Sequence, residues 1–184
     1  MSKEESIIFD DLYRYVGKRN LSLLLRYLFF TPGFRYVYLF RKTANATSLF
    51  SRFFWKFLLR RCMLSTGIQI PESTKIERGF RISHFGHIVV NPATIIGKNF
   101  NICQGVTVGS AEGRSAGTPI IGDNVSIQPN AVIVGGIRIG DDVLIAPNAF
   151  VNFDVPDGCI VIGNPGQIIR KEKASAKYIV YKVN

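Results

Sequence analysis

Apolar side chains recur every six residues through the C-terminal two-thirds of the chain. The residue four places after most of them is also small or apolar. The thirteen leading positions are Ile70, Ile76, Ile82, Val90, Ile96, Ile102, Val108, Ile121, Ile127, Ile133, Ile139, Ile145 and Val151. This period is typical of short strands and turns that wind into a parallel β-helix; helices, alternating strands and hairpin meanders do not keep it. Because one unit cannot bury its leading side chain alone, the coils must stack. We predict about four coils of about eighteen residues each.

Two interruptions break the six-residue phase. The first is a slip of two residues near the segment 83–87, which contains the only two histidines of the chain, His84 and His87. The second spans residues 109–119 and adds seven mostly glycine and polar residues, which must leave the coil as a loop. A slip forces a local bulge, and bulges often re-aim side chains next to functional sites. The two histidines are therefore the first candidates for chemistry.

Residues 1–64 differ in composition from the rest of the chain. They contain 12 of the 23 Lys and Arg residues and 15 of the 22 aromatic residues, but only 4 of the 13 acidic ones. The pattern predicts three helices, over about 10–30, from Pro32 to about 43, and from near Ser48 onward. We therefore predict a mainly β fold with three parts: a helical segment over 1–64, a β-helix domain over 65–170 and a C-terminal tail over 171–184.

Two compatible roles are expected for the helical segment. The helices can pack on the first coil and serve assembly, or their basic, aromatic face can lie on an anionic membrane surface. The apolar stretch 21–40 contains Arg26, Pro32, Gly33 and Arg35, which makes it a poor transmembrane span. Basic charge also suits nucleic acid, but no nucleic-acid-binding motif accompanies it, so no nucleic-acid partner is expected.

The three cysteines, Cys62, Cys103 and Cys159, stand in scattered contexts without a CxxC pair. We interpret them as reduced thiols and expect no metal site. Residues 1–10 are polar and acidic where a signal peptide would be basic. A cytoplasmic protein is expected, located at the inner face of the membrane if the helices bind lipid.

The spacing of several short motifs resembles that of the hexapeptide-repeat acyltransferases, in their serine acetyltransferase-like branch. The motifs are His84 followed by the apolar run 88–90, the segment ICQGVTVG at 102–109, the loop ending at Pro119, IGD at 121–123 and VIGNPGQII at 161–169. The helical front resembles small enzymes that acetylate capsular polysaccharides or exopolysaccharides. The resemblance implies a left-handed parallel β-helix, a homotrimer and an acetyl-CoA donor bound between neighbouring β-helices.

The resemblance also implies roles for individual residues. His84 would be the general base, and imidazole chemistry suits that role because it titrates near neutrality. Candidates for the acceptor site are His87, Gln104, Gln69 and Thr118. Donor contacts are expected near Gly109, Pro129, Ala146 and Pro147, with Arg170 and Lys171 placed to meet CoA phosphates.

Three positions depart from the pattern of serine acetyltransferases. Gln69 and Ser83 stand where that family has aspartates near the catalytic histidine, and Thr118 stands where it has a second histidine. Either a backbone carbonyl or the amide of Gln69 would then orient His84. These departures favour a sugar hydroxyl of a surface polysaccharide, or of its lipid-linked precursor, as the acceptor. The alternatives are serine O-acetyltransfer, another small acceptor, and a non-catalytic β-helix scaffold.

Overall fold

The computed structural model describes residues 3–184, and all of their side chains except those of Lys3 and Arg114. The chain begins with four helices, which are α1 Lys3–Val16, α2 Leu21–Phe30, α3 Pro32–Ala44 and α4 Leu49–Thr66. The single helix predicted over about 10–30 is wrong. Gly17, at a φ of +67°, ends α1, and the side chain of Asn20 accepts the first free amides of α2. Because Asn20 caps the N-terminus of α2, starting a second helix there is more favourable than continuing α1 through the break.

Fifteen short strands follow, joined by tight turns and one 3-10 turn over Gly113–Ser115. The strands are β1 Ile68–Gln69, β2 Lys75–Ile76, β3 Arg81–Ile82, β4 Ile88–Val90, β5 Ile95–Ile96, β6 Asn101–Ile102, β7 Thr107–Gly109, β8 Ile120–Ile121, β9 Ser126–Ile127, β10 Val132–Val134, β11 Arg138–Ile139, β12 Leu144–Ile145, β13 Phe150–Val151, β14 Cys159–Ile162 and β15 Gln167–Arg170.

The strands form three sheets that are the sides of a left-handed β-helix. We call them sheet A (β1-β4-β7-β10-β13), sheet B (β2-β5-β8-β11) and sheet C (β3-β6-β9-β12-β14-β15). All pairs are parallel except β14–β15, a closing hairpin. Val132 pairs with Phe150, eighteen residues later, as the coil length predicts. The left-handed winding is an exception to the usual handedness of parallel crossovers.

The interior of the coil is filled by the residues that keep the six-residue phase. All thirteen leading side chains are buried. So are the small or apolar residues four places after nine of them, which are Thr94, Phe100, Val106, Val125, Ala131, Ile137, Val143, Ala149 and Val155. The rings of Phe80 and Phe100 stack with their centroids 5.9 Å apart. Between sheets B and C the corner residues Asn99 and Asn124 have positive φ, as do Asn130 and Asn148 between sheets C and A. Asparagine tolerates this conformation better than most residues, which explains why it recurs at the corners.

The helices cover the open edge of the first coil and satisfy its backbone groups. The hydroxyl of Tyr36 donates to the carbonyl of Ile70 and accepts its amide, and the hydroxyl of Tyr15 does the same for Ile82. The carboxylate of Asp11 accepts the amide of Phe80 at 2.8 Å. An uncovered strand edge would expose a row of unpaired amides and carbonyls. The helical segment therefore completes the β-helix.

Replacing Ile121 by alanine is expected to lower the free energy of unfolding by about 2–5 kcal/mol, because it leaves a cavity in the coil. Ile120 is the matched control, since it has the same side chain on the same strand but points outward and is 47% exposed. Ile120→Ala should cost about 0.5 kcal/mol or less. Urea denaturation at one protein concentration measures both. Equal losses would show that the inward and outward faces of β8 are wrongly assigned.

Candidate active site

The slip in the repeat places His84 on an exposed corner of the coil. Residues 83–87 connect β3 of sheet C to β4 of sheet A and bulge outward before the six-residue phase resumes. Ile82, two residues earlier, points into the core. Among residues 3–184, neither ring nitrogen of His84 has a hydrogen-bond partner. The imidazole is therefore available to a substrate, and the described contacts assign no residue that orients it.

The same corner carries one residue from each of the next three coils. Gln104, Pro129 and Pro147 each stand two places after a buried lead of sheet C, as His84 does. Backbone hydrogen bonds join these corners, from Asn130 to Gln104 at 3.1 Å and from Asn148 to Pro129 at 3.0 Å. At a strand spacing of about 4.8 Å, this column extends about 14 Å from His84. It forms a ridge along which an extended molecule can lie with one end at the imidazole.

Next to His84 lies a cavity of about 450 Å³ on the outer face of sheet C. The C-terminal tail forms its far wall. The lining residues are Arg81, Ser83, His84, Asn101, Cys103, Gln104, Ser126, Gln128, Pro129, Lys177, Tyr178 and Val180. Two buried polar atoms at this cavity have no hydrogen-bond partner among residues 3–184, namely Nε of Arg81, a donor, and Oε1 of Gln104, an acceptor. Buried polar atoms are rarely left unpaired, so these two are candidates for hydrogen bonds to a ligand that enters the cavity.

The cavity is electropositive. Its lining includes the cations Arg81 and Lys177 but no aspartate or glutamate. The guanidinium of Arg81 lies 5.5 Å from the centre of the Tyr15 ring and forms no ion pair among residues 3–184. Burial, followed by the nearby charge of Arg81, lowers the pKa of Arg14 to about 10. Uncompensated positive charge of this kind favours an anionic ligand group.

Cys103 lines the cavity as a thiol. Burial raises the pKa of its side chain, while a hydrogen bond with Ser83 and the charge of Arg81 act in the opposite direction. The thiolate is the nucleophilic form of cysteine, so a raised pKa makes Cys103 a poor nucleophile at neutral pH. The site is thus better suited to base chemistry by His84 than to a covalent cysteine intermediate.

The other candidate acceptor residues lie apart from this cavity. His87 is exposed at the end of the bulge and is not a lining residue. Gln69 is on the outer face of sheet A, where it lines a different cavity with Lys56 and Glu72. The hydroxyl of Thr118 donates to the carbonyl of Ala93 at 3.3 Å, at the end of the 109–119 loop. The structure therefore groups Gln104 with His84 and leaves His87, Gln69 and Thr118 outside.

The candidate donor residues are distributed along the coil. Pro129 and Pro147 belong to the corner column, with Ala146 directly before Pro147. Gly109 ends β7 on sheet A, where the long loop departs. Arg170 ends β15, and the amide of Lys171 donates to the carbonyl of Gly158. Both basic side chains are exposed and stay candidates for phosphate contacts.

Sequence reasoning missed Arg81 and Lys177. The sequence could have indicated Arg81 as a site residue, because it precedes the lead Ile82 and so points outward only three residues before His84. It could not have indicated Lys177, since only tertiary contacts bring the tail to sheet C. The side chain of Asn99 pairs with the backbone of Val183, and Asp142 accepts the amides of Ala174 and Ser175.

Comparisons with known proteins agree with this fold. Residues 118–152 match the family model described as bacterial transferase hexapeptide (six repeats). The chain therefore carries the repeats of the hexapeptide transferase family, and its homologues are serine acetyltransferase-like. It is 37% identical over 130 residues to a serine acetyltransferase of Staphylococcus aureus, a match covering 70% of this chain and 56% of that protein. The chain thus spans about half the length of the curated relatives it matches.

Solved structures show the same relationship. The serine acetyltransferase of Neisseria gonorrhoeae in complex with serine superimposes with a TM-score of 0.73 and 27% identity, covering 91% of this chain and 69% of its own. The soybean serine acetyltransferase apoenzyme superimposes with a TM-score of 0.75 and 27% identity, covering 89% and 68%. The first alignment is long enough to include much of the helical segment as well as the β-helix.

The expectation of a polysaccharide or lipid-linked sugar acceptor is wrong. It rested on the departures at Gln69, Ser83 and Thr118 and on the basic helical front. The relatives and solved structures are serine acetyltransferases, and the superposition extends into the helices. Three substitutions did not identify the acceptor, because the cavity also contains Arg81 and Lys177, which the repeat pattern had not placed there.

Proposed function

We propose that this chain transfers the acetyl group of acetyl-CoA to the hydroxyl of serine, with His84 as the general base. The observation that carries the proposal is the cavity beside His84, with one unpaired buried donor, one unpaired buried acceptor and net positive charge. The relatives named serine acetyltransferases support this acceptor, as does the structural neighbour that is bound to serine.

The two unpaired atoms match the two ends of an amino acid. Nε of Arg81 can donate to the serine carboxylate, and the charge of Lys177 attracts the same group. Oε1 of Gln104 can accept a hydrogen bond from the ammonium group. With both ends held, the serine side chain has only the hydroxyl left to present to His84. This arrangement gives the acceptor one orientation, which is what a transfer between two bound substrates requires.

The reaction then needs one proton carrier. An imidazole nitrogen of His84 takes the hydroxyl proton while the serine oxygen forms a bond to the thioester carbon. The carbon–sulfur bond breaks, the CoA sulfur leaves with the bonding electrons, and the imidazolium returns the proton to it. The products are O-acetylserine and CoA. Gln104 and the turn amides are candidates to stabilise the developing oxyanion.

The donor is proposed to lie along the corner column, with its thioester at His84. Pro129, Ala146 and Pro147 offer an apolar edge for the pantetheine arm, and Arg170 and Lys171 are candidates for its phosphates. We further infer a homotrimer in which a neighbouring β-helix closes this groove. The exposed side chains of Phe85 in the bulge and Val89 on sheet A give such a neighbour apolar surface to contact beside this corner. Light scattering of the purified protein measures this state.

Release of free CoA thiol from acetyl-CoA tests the acceptor directly. Serine should stimulate release in a saturable manner, and O-acetylserine should appear in equal amount. Glycine, which lacks the hydroxyl, and simple hexoses serve as controls and should not stimulate it. Absence of serine-stimulated release, or equal stimulation by glycine or a hexose, would contradict the proposal.

Arg81→Leu should raise the KM for serine by about 10- to 100-fold with a smaller effect on the KM for acetyl-CoA, because one charged hydrogen bond contributes about 1.5–3 kcal/mol. Arg138 provides a matched control, since it is an exposed arginine at the corresponding position of sheet B. Arg138→Leu should leave both constants within about twofold. An unchanged serine KM in Arg81→Leu would remove this residue from the acceptor site.

A further inference from the structure

We propose that the outer surface of α2 and α4 docks on an anionic lipid membrane. This proposal is independent of the acceptor, because the helices lie apart from the His84 cavity. We call this surface the apolar helix face. Its exposed members are Leu21, Leu25, Phe29 and Phe30 of α2 and Leu49, Phe50, Phe53, Phe54, Phe57 and Leu64 of α4.

The apolar helix face is largely open to solvent. Leu49, Phe50 and Phe53 are 84%, 83% and 84% exposed. Helix α4 already buries its opposite face, with Leu59 and Cys62 in the core and Trp55 packed against Tyr38. The exposed phenylalanines are therefore not part of the hydrophobic core. One shallow surface depression is lined by Leu49, Phe50, Phe53, Phe54 and Phe57. A contiguous apolar patch of this kind marks a surface that binds a partner or a membrane.

The charge around this face favours an anionic partner. Residues 12–71 contain eleven Lys and Arg residues and no Asp or Glu. Lys18, Arg26, Arg52 and Arg60 are exposed and form no ion pair within the described residues 3–184. If a second copy covered the same face, these cations would be brought together without compensating acid. Negatively charged lipid headgroups neutralise them instead.

A groove between α2 and α4 adds a second feature that suits lipid. Its volume is about 470 Å³, and Leu28, Phe29, Tyr38, Trp55 and Leu58 form much of its wall. Arg35 and Arg61 also line it. An acyl chain fits the apolar wall while a lipid phosphate meets the guanidinium groups. Glycerophospholipids combine these two chemistries in one molecule.

The mode of contact is interfacial. Within residues 3–184, no helix combines the length and the apolar character needed to cross a bilayer. Helices with an apolar aromatic face flanked by basic residues lie in the headgroup region and insert only that face. The two helices α2 and α4 would then hold the β-helix at the membrane surface.

Vesicle flotation with the full chain tests the proposal. Wild-type protein should float with vesicles containing phosphatidylglycerol and phosphatidylcholine, and much less with pure phosphatidylcholine. Phe50→Ser/Phe53→Ser and Arg52→Glu/Arg60→Glu should each lower the partition coefficient by about tenfold or more. The first pair removes inserted apolar surface, and the second pair removes electrostatic attraction.

The matched control replaces two exposed apolar residues at the far end of the molecule. Ile168→Ser/Ile169→Ser on β15 should float like wild type. Serine-dependent thiol release in vesicle-free buffer should be retained by all three variants, which separates a failure of docking from a failure of the proposed function. Two results overturn the proposal: absence of flotation with anionic vesicles, and wild-type flotation of Phe50→Ser/Phe53→Ser. If wild type does not float and that variant lowers the molar mass, a second copy covers the face.

Discussion

His84→Ala is expected to lower kcat for serine acetylation by about 10²–10⁴-fold, the contribution typical of a general base. The slip in the repeat exposes this imidazole at the head of the corner column, and the proposed acceptor cavity lies beside it. Alanine leaves the cavity and the column in place, so the KM values for serine and acetyl-CoA should change much less. Initial rates of thiol release at saturating concentrations of both substrates measure the effect.

His87→Ala is the matched comparison for this variant. His87 is the other histidine of the chain, three residues away and exposed, but it does not line the cavity. We expect its removal to change kcat by less than about tenfold. Circular dichroism and molar mass should be unchanged in both variants, since neither ring packs in the core. A His84→Ala enzyme with near-normal kcat would rule out the proposed base.

Arg41→Met is expected to lower the free energy of unfolding by about 3–5 kcal/mol, the largest effect we predict for stability. The guanidinium of Arg41 pairs with the carboxylate of Asp11 at 2.8 Å, and both side chains are buried. Arg41 also donates to the carbonyls of Ile76 and Glu77 on the edge of the first coil. Burial already raises the pKa of Asp11 despite this partner. Removing the partner would leave a buried carboxyl group without its counter-charge and two carbonyls without their donor.

Lys42→Met provides the control on the same helix. Its ammonium group pairs with Glu4 at 2.9 Å, but both side chains are about one quarter exposed. Ion pairs that remain in contact with water contribute about 0–1 kcal/mol, so this change should cost at most that amount. Urea denaturation at a single protein concentration compares the two variants. Similar losses in the free energy of unfolding would mean that burial does not make the Asp11–Arg41 pair more stabilising than the partly exposed Lys42–Glu4 pair.

The β-helix could be predicted from the sequence because its cause is local and repeated. Each leading residue, from Ile70 to Val151, faces the interior for the same reason. Its side chain is apolar and is buried between stacked coils, which removes it from water. Helix boundaries were harder to predict because α1 and α2 are separated by only a glycine turn and the Asn20 cap. The apolar pattern stops for only four residues, 17–20, and resumes at Leu21, so hydrophobicity alone did not separate the two helices.

The residues of the candidate site also fall into those that the sequence could predict and those that it could not. His84 and Gln104 could be found because each stands at a fixed offset from a lead. Arg81 could have been found, but the contribution of Lys177 could not, because no periodicity connects the tail to sheet C. The acceptor was wrongly predicted as a sugar because the substitutions at Gln69 and Ser83 were weighed without the cations that the fold brings to His84.

The sequence alone determined the coiled architecture, the irregularity that exposes His84 and the strongly basic character of the helices, since each depends on residues near one another in the chain. Only the tertiary structure decided which groups surround His84, how the helices complete the first coil, and which aromatic side chains remain exposed. These features depend on contacts between distant segments. Such contacts are set by the packing of whole elements, and the spacing of residues along the chain does not specify them.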